Sequence, residues 1–218
     1  MKEQTYFACL VHDLKTPLLA QERIIELFLN NTFGEINSVQ REVLTEFHKS
    51  TKYLQGLVVD ILSMYLYENN KVRLNKEFFN FDEFVENIIN EMSVLSDGKQ
   101  ICSHILPVQI FADKTQLKRA VINLISNSIR YSCRNNTILI KSEIINNEIV
   151  FSITNKSSYP LPKNLNNFFE KFKTNNPYSS GLGLYIVEQI INVHEGKIFV
   201  KRGKNNTCTF GFKIPVSS

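Results

Sequence analysis

The 218-residue sequence has no long apolar run, and it contains little glycine, proline or cysteine. No window approaches about 18 uninterrupted apolar residues, so we expect no membrane-spanning helix. Residues 1–5 are largely polar and lead directly into a helical pattern, which predicts that no secretory signal peptide is present. Internal repeats and low-complexity tracts are also missing. These absences favour an ordinary globular protein of the cytoplasm.

The cysteines are widely scattered and form no Cys-x-x-Cys pair: Cys9, Cys102, Cys133 and Cys208. This spacing predicts reduced, mostly buried thiols of a cytosolic protein. The formal net charge is +4, which is too small to argue for nucleic-acid binding. We therefore expect no nucleic acid and no membrane span.

The first third of the chain is patterned as two amphipathic helices. Between Glu3 and Asn30, apolar residues recur in steps of three and four. A turn follows at residues 31–34, and Asn37 with Gln40 predicts a capping box that opens a second helix ending near Tyr67. Two such helices form a hairpin that cannot enclose a core alone. Two hairpins can combine into a four-helix bundle, so the sequence predicts a homodimer.

After a polar break at residues 68–71, strands and helices alternate. The predicted helices are 81–96, 115–130 and 182–194, and the predicted strands are 72–79, 109–111, 137–145, 148–154, 197–201 and 207–214. Asp113 is predicted to cap the 115–130 helix with Gln116 as its capping-box partner. Gly196 is predicted to be the C′ residue of the 182–194 helix, the position that usually adopts the left-handed conformation. Asn146 and Asn147 predict a hairpin turn. We expect an α+β sandwich with helices on one face of a mixed sheet.

Three groups of residues suggest chemistry, and the first is the run from His12 to Pro17. Helical spacing places His12 and Thr16 on one face. Pro17 lacks a backbone donor and displaces the carbonyl of Asp13, which predicts a kink just after the histidine. A neutral imidazole held on a helix surface can act as a nucleophile toward phosphorus. A solvated or packed histidine is the alternative interpretation.

The second group lies on the helix predicted at 115–130. Asn123 and Asn127 are four residues apart, and Arg130 follows on the same side. Amide oxygens with water suit a magnesium ion whose other ligands are phosphate oxygens, and arginine neutralises phosphate charge. A solvated helix face is the alternative.

The third group is Gly181-Leu182-Gly183-Leu184, just before a predicted helix. Glycines permit close backbone approach, and a helix N-terminus presents free amides to an anion. Such a pair of glycines is more often simply a loop or a helix start.

In this order and spacing, the three groups resemble the core of two-component sensor histidine kinases over essentially the whole chain. The run at His12 is similar to the family's H-box, Asn123 to Asn127 to its N-box, and Gly181 to Gly183 to its G2-box. Residues 168–172 resemble the F-box, and residues 194–198 and 207–210 resemble the closing strands.

The resemblance implies that ATP phosphorylates His12 and that the phosphoryl group passes to an aspartate of a response-regulator receiver domain. In the family, the position of Asp13 serves as general base, and that of Thr16 is implicated in regulator dephosphorylation. Asn127 would hold Mg²⁺ and Asn123 would replace the catalytic glutamate of related ATPases.

Other positions of the nucleotide site follow from the same resemblance. Arg130 would face phosphate, Tyr131 would flank the base, Gly181, Leu182 and Gly183 would approach the phosphates, and residues 173–180 would form the ATP lid.

The G1-box departs from the family pattern. Asn155 stands where an aspartate binds the adenine amino group, and Ser157 and Tyr159 stand where glycines are expected. A neutral hydrogen bond contributes about 1 kcal/mol less than a charged one, which is about five- to tenfold in ATP affinity.

We therefore predict two domains: a dimerisation and phosphotransfer hairpin at 1–70, and an ATP-binding α+β sandwich of the GHKL type at 71–218. The function predicted is a cytoplasmic histidine kinase core, with phosphatase activity toward the regulator as an allied activity. The alternative is a degenerate, non-catalytic dimeric module with weak or absent ATP binding. Another ATPase of the same superfamily is disfavoured by the histidine motif and Asn123.

Overall fold

The structure is a computed structural model that describes residues 2–69, 71–93, 96, 98–173 and 180–216, without the side chains of residues 2–10, 12 and 166. The chain divides into two compact units. The described part of the first unit runs to Val72 and includes residues 180–182, and the second comprises Arg73–Lys173 and residues 183–216.

The first unit is a helical hairpin of α1 (Lys2–Leu29) and α2 (Ser38–Glu68). The predicted capping box is confirmed, because Asn37 Oδ1 accepts from the backbone N–H of Gln40 at 2.8 Å and Gln40 Oε1 accepts from that of Asn37 at 2.9 Å. Helix α1 continues through Pro17, and the kink expected there stays a prediction. Within the described residues, neither these helices nor any other is long and apolar enough to cross a membrane.

The second unit contains seven strands and three α-helices among its described residues. The helices are α3 (Phe81–Ser93), α4 (Lys114–Tyr131) and α5 (Gly183–Val193), with a 3₁₀ turn at Leu165–Phe169. The strands are β1 (Glu77–Asn80), β2 (Gln100–His104), β3 (Gln109–Ala112), β4 (Thr137–Ile145), β5 (Glu148–Lys156), β6 (Lys197–Arg202) and β7 (Thr207–Pro215).

The main sheet has five strands in the order β2-β4-β5-β7-β6, in which β2 is parallel to β4 and the other pairs are antiparallel. Every second residue of β5 is buried, from Ile149 to Asn155. This alternation marks the face that the helices cover, and Phe81 of α3 packs edge-on against Phe151 with ring centroids 5.9 Å apart. The predicted α+β sandwich with a mixed sheet is confirmed.

Several predicted boundaries were wrong. Of the strand predicted at 72–79, only the end forms a strand, β1 (Glu77–Asn80). It pairs with β3 in a separate two-stranded sheet. Strand β2 was not predicted at all. It is a short, half-exposed segment whose parallel pairing with β4 depends on a distant partner. The helix predicted to reach residue 96 is assigned only as far as Ser93, and residues 94 and 95 lie outside the described part.

The end of α5 also differs from the prediction. Glu195, not Gly196, adopts the left-handed conformation, with φ 62°. The backbone N–H of Gly196 donates to Ile191 O at 2.9 Å and that of Glu195 to Asn192 O at 3.0 Å, which is a Schellman motif. Glycine is needed at 196 for space, because a Cβ atom there would contact the carbonyl oxygen of Lys213 and lie 2.7 Å from Ile214 Cγ2.

The predicted hairpin turn and the free state of the described thiols are confirmed. Asn146 and Asn147 have φ of 51° and 61°, as the hairpin between β4 and β5 requires. Cys102, Cys133 and Cys208 are free thiols, as predicted, but the prediction that they are mostly buried was wrong, because Cys102 and Cys133 are only half-buried. Burial raises the pKa of Cys208 to about 11. The side chain of Cys9 lies outside the described part.

Candidate functional site

Helix α4 carries the polar face that the sequence predicts. Its opposite side is buried and apolar, formed by Leu117, Ala120, Val121, Leu124, Ile125 and Ile129. Spacings of three and four place Asn123, Asn127, Arg130 and Tyr131 together on the other side, where Arg130 is exposed and the other three are half-buried. Over these eight residue steps the face extends about 12 Å.

One end of this face meets the start of α5. Asn123 Nδ2 donates to the carbonyl oxygen of Gly183 at 3.3 Å. A Cβ atom on Gly183 would lie 3.7 Å from the Asn123 side chain, in ordinary contact. The backbone of Gly183 and the amide of Asn123 are therefore adjacent, and the first amides of α5 lie beside the polar face of α4.

The other end of the face meets the loop after β5. The hydroxyl and the backbone N–H of Ser158 donate to the carbonyl oxygen of Tyr131 at 2.9 and 2.8 Å. The ring of Tyr159 lies edge-on to that of Tyr131, with centroids 6.2 Å apart. Two tyrosine rings thus stand at the end of α4, and both can flank a planar group.

The loop after β5 forms without the glycines of the family pattern. Neither Ser157 nor Tyr159 is among the residues with positive φ, so the change from glycine causes no backbone strain there. Asn206 supports the loop, because its side-chain amide donates to the carbonyl oxygens of Ser157 at 2.9 Å and Tyr159 at 2.8 Å.

Asn155 lies at the end of β5 on the helix-covered face and is only 4% exposed. Within the described residues, its side-chain amide makes no hydrogen bond. Its amide atoms are not among the fully shielded side-chain atoms that lack a partner, so they remain accessible from outside the protein. The side chain therefore suits a bound polar molecule that supplies the missing hydrogen bonds.

The remaining predicted residues belong to the first unit. His12 lies in α1 with its side chain outside the described part, and Asp13 and Thr16 are exposed on the same helix. Gly181 has φ 66°, which explains glycine there, and Leu182 is fully buried. Of the predicted lid at 173–180, residues 174–179 lie outside the described part.

The donors of the second unit fit a nucleotide with magnesium. Asn155 offers an unpaired amide for a base, Tyr131 and Tyr159 offer rings, Arg130 offers positive charge, and Asn127 offers an amide oxygen of the kind that Mg²⁺ accepts. The N-terminal amides of α5 suit phosphate.

Sequence reasoning missed the supporting residues. Tyr159 was noted only as a departure from the family pattern, and neither Ser158 nor Asn206 was singled out. The one local signal for Asn206 is the Asn205-Asn206 pair before β7, where both residues have positive φ.

A family model described as "Histidine kinase-, DNA gyrase B-, and HSP90-like ATPase" matches residues 112–218. Among curated proteins, the heme sensor protein HssS of Staphylococcus haemolyticus is 29% identical over 212 residues, covering 94% of this chain and 45% of that protein. The sensor protein KdpD of Clostridium acetobutylicum is 27% identical over 219 residues, covering 94% and 24%. The chain thus spans less than half the length of these relatives.

Solved structures share the fold. The histidine kinase AdeS of Acinetobacter baumannii superposes with a TM-score of 0.68 at 23% identity, covering 95% of this chain and 98% of that one. Full-length ShkA in complex with AMPPNP superposes with a TM-score of 0.80 at 21% identity, covering 98% of this chain and 46% of that one. The catalytic domain of the histidine kinase ThkA superposes with a TM-score of 0.60 at 28% identity, covering 66% of this chain and 97% of that one. These comparisons do not support the degenerate, non-catalytic alternative.

Proposed function

We propose that this chain, which belongs to the sensor histidine kinases and carries their GHKL-type ATPase domain, phosphorylates itself on His12 with ATP and passes the phosphoryl group to an aspartate of a response-regulator receiver domain. Residues 1–70 act as the dimerisation and phosphotransfer domain, and residues 71–218 as the catalytic ATP-binding domain.

One observation carries the proposal: α4 presents Asn123, Asn127 and Arg130 on one face, and Asn155 lies buried with an unpaired amide at the end of β5. In this assignment Asn155 accepts a hydrogen bond from the adenine amino group, and Tyr131 flanks the base. Asn127 holds Mg²⁺, Arg130 neutralises phosphate charge, and Gly181, Leu182 and Gly183 approach the phosphates. Bound ATP supplies an activated γ-phosphoryl group.

The chemical step at His12 is a phosphoryl transfer. The imidazole of His12 forms a nitrogen–phosphorus bond as the bond from phosphorus to the bridging oxygen breaks, and ADP leaves. Asp13 takes the proton from the other ring nitrogen, so no net positive charge stays on the phosphorylated ring. Asn123 has no carboxylate with which to activate water, which favours transfer to His12 over hydrolysis of ATP.

Dimerisation is supported by the apolar side chains that the hairpin leaves exposed. Among the described residues of α1 and α2 these are Leu14, Leu19, Ile24, Phe28, Val39, Val43, Phe47, Leu54 and Val59. On α2, the spacing of Val39, Val43, Phe47 and Leu54 places them on one face, and an exposed apolar face of this kind marks an interface. A second copy of the hairpin would complete a four-helix bundle. We assign to Thr16, one turn after His12, the orientation of water when the regulator is dephosphorylated.

The experiment is autophosphorylation with γ-labelled ATP and Mg²⁺. We expect acid-labile, alkali-stable label on the wild-type chain, none in His12→Gln, and none when EDTA removes the metal. His104→Gln, an exposed histidine on β2, is the matched control and should be labelled like the wild type. Label that persists in His12→Gln would remove His12 as the acceptor.

A further inference from the structure

A second group of ligating side chains lies in the helical hairpin, away from His12 in sequence and unused by the proposed reaction. Glu22 and Glu26 of α1 and His48 of α2 each offer one ligand atom, and these atoms all lie within 4.8 Å of one another. His48 Nε2 is 3.8 Å from Glu22 Oε1 and 3.9 Å from Glu26 Oε1. The two glutamates are four residues apart and share a face of α1.

The Nε2 atom of His48, at the centre of this group, lacks a hydrogen-bond partner within the described part of the chain. His48 Nε2 is shielded from solvent and, among the described residues, has no hydrogen-bond partner. Both carboxylate oxygens nearest to it lie too far away for a hydrogen bond. Although the His48 side chain as a whole is 28% exposed, its Nε2 atom is shielded and unpaired beside two carboxylates, and a cation shared with them would give this nitrogen a partner.

Outer contacts fix the orientation of Glu22. Gln55 Nε2 donates to Glu22 Oε2 at 2.7 Å and to the carbonyl oxygen of Leu18 at 3.2 Å, so Glu22 Oε1 is the oxygen that faces both His48 and Lys52. Support of this kind orients the ligands of metal sites. Lys52 forms an ion pair with Glu22 Oε1, and together with Gln55 it lowers the pKa of Glu22. Glu22 is thus a carboxylate, the form that binds metal.

We propose that Glu22, Glu26 and His48 bind a divalent transition-metal ion, zinc being the probe, with water as the fourth ligand. Tetrahedral zinc with bonds of about 2.0–2.2 Å holds its ligand atoms roughly 3.3–3.5 Å apart. Each carboxylate oxygen therefore needs to approach His48 Nε2 by only about half an ångström. Imidazole with carboxylates suits zinc, whereas magnesium prefers oxygen ligands alone.

Lys52 is the competitor for this site. Its side chain is 55% exposed, so its ammonium can move into water when a metal ion takes Glu22 Oε1. Arg23 pairs with Glu26 Oε2, at 3.8 Å, which is not the oxygen that faces His48. Metal bound here connects α1 to α2 and stabilises the hairpin by mass action.

The test is calorimetric zinc titration of the full chain, with cobalt(II) absorption as the second readout. We expect one ion in this site, seen with cobalt as a visible band without the ultraviolet band of a thiolate complex. His48→Gln and Glu26→Gln should each weaken binding about tenfold or more, as the loss of a ligand exceeds the effect of losing an outer contact. Lys52→Met should bind as tightly as the wild type or tighter.

Glu46→Gln is the matched control, since Glu46 pairs with Lys49 on the exposed side of α2 and lies outside the group. Metal-free thermal unfolding checks each variant, and if His48→Gln is unfolded the result for Glu26→Gln decides. No zinc binding by the wild type, unchanged affinity in the ligand variants, or a purely thiolate cobalt spectrum would each overturn the proposal. None of these outcomes depends on kinase activity, so the site and the proposed function can fail separately.

Discussion

The imidazole of His194 joins the end of α5 to the start of α4, because His194 Nε2 accepts a hydrogen bond from the backbone N–H of Asp113 at 3.0 Å. The other ring nitrogen, Nδ1, lies 2.7 Å from the carbonyl oxygen of Ile190 and therefore carries the proton. Asp113 in turn caps α4 through Gln116 N at 2.9 Å and accepts from Asn75 N at 2.8 Å. His194 is held neutral at the centre of these contacts.

This relationship predicts that acid destabilises the ATP-binding unit. Burial lowers the pKa of His194 below its ordinary value of 6.5, although the bond to Ile190 opposes this shift. As pH falls below about 6.5, the unfolded chain takes up a proton before the folded chain does, so the free energy of unfolding decreases. Chemical unfolding between about pH 7 and pH 5 measures this slope.

Replacing the histidine should remove that dependence and cost stability. His194→Ala leaves the buried N–H of Asp113 unpaired, whereas the carbonyl oxygen of Ile190 keeps the backbone N–H of residue 194 as a donor at 3.3 Å. We therefore expect a loss of about 1–3 kcal/mol at neutral pH and a shallower pH slope. His104→Ala, on exposed β2, should leave both unchanged. An identical slope in His194→Ala would show that another group titrates.

Restoring the acidic side chain at position 155 should tighten ATP binding. If Asn155 accepts from the adenine amino group, Asn155→Asp replaces a neutral hydrogen bond by a charged one, and the dissociation constant should fall about five- to tenfold. Asn155→Ala should weaken binding. Calorimetry with Mg-ATP measures both, and equal affinities in all three proteins would place the adenine contact elsewhere.

Any side chain at Gly196 should destabilise the fold. In Gly196→Ala the new methyl group would lie 2.7 Å from Ile214 Cγ2 and against the backbone of β7, so we expect a loss of about 1–3 kcal/mol of unfolding free energy. Gly56→Ala, within α2, meets no atom within 4 Å and should be neutral or slightly stabilising because alanine favours helix. Thermal unfolding compares the two, and a neutral Gly196→Ala would contradict the close approach.

If the hairpin dimerises as we propose, charge at the exposed positions Val43 and Phe47 of α2 should dissociate the dimer. Val43 is 50% exposed and Phe47 is 60% exposed in the single chain, so Val43→Glu with Phe47→Glu would bury two carboxylates in the bundle, which is unfavourable. Sedimentation should change from dimer to monomer. Phe78→Glu, at an exposed phenylalanine of the second unit, is the control that should remain dimeric.

Much of the fold could be predicted because its signals are local. The capping box of Asn37 and Gln40, the Asn146-Asn147 turn and the polar face of α4 are each encoded within a few residues. Strand β2 could not be predicted, because its three half-buried residues lie between two exposed ones without a strong period, and its partner lies beyond α4 in the chain. The left-handed residue at the end of α5 was misassigned because the glycine beside it serves packing instead.

By itself, the sequence determined the helical hairpin, the residues that share each helix face and the order of the kinase motifs, since spacing along a chain fixes direction around a helix. Only the tertiary structure decided which distant groups meet: Asn123 with Gly183, Asp113 with His194, and Glu22 with His48. Such meetings depend on strand order and helix packing, which arise from burial of apolar area by the whole chain, and burial does not specify polar partners in advance.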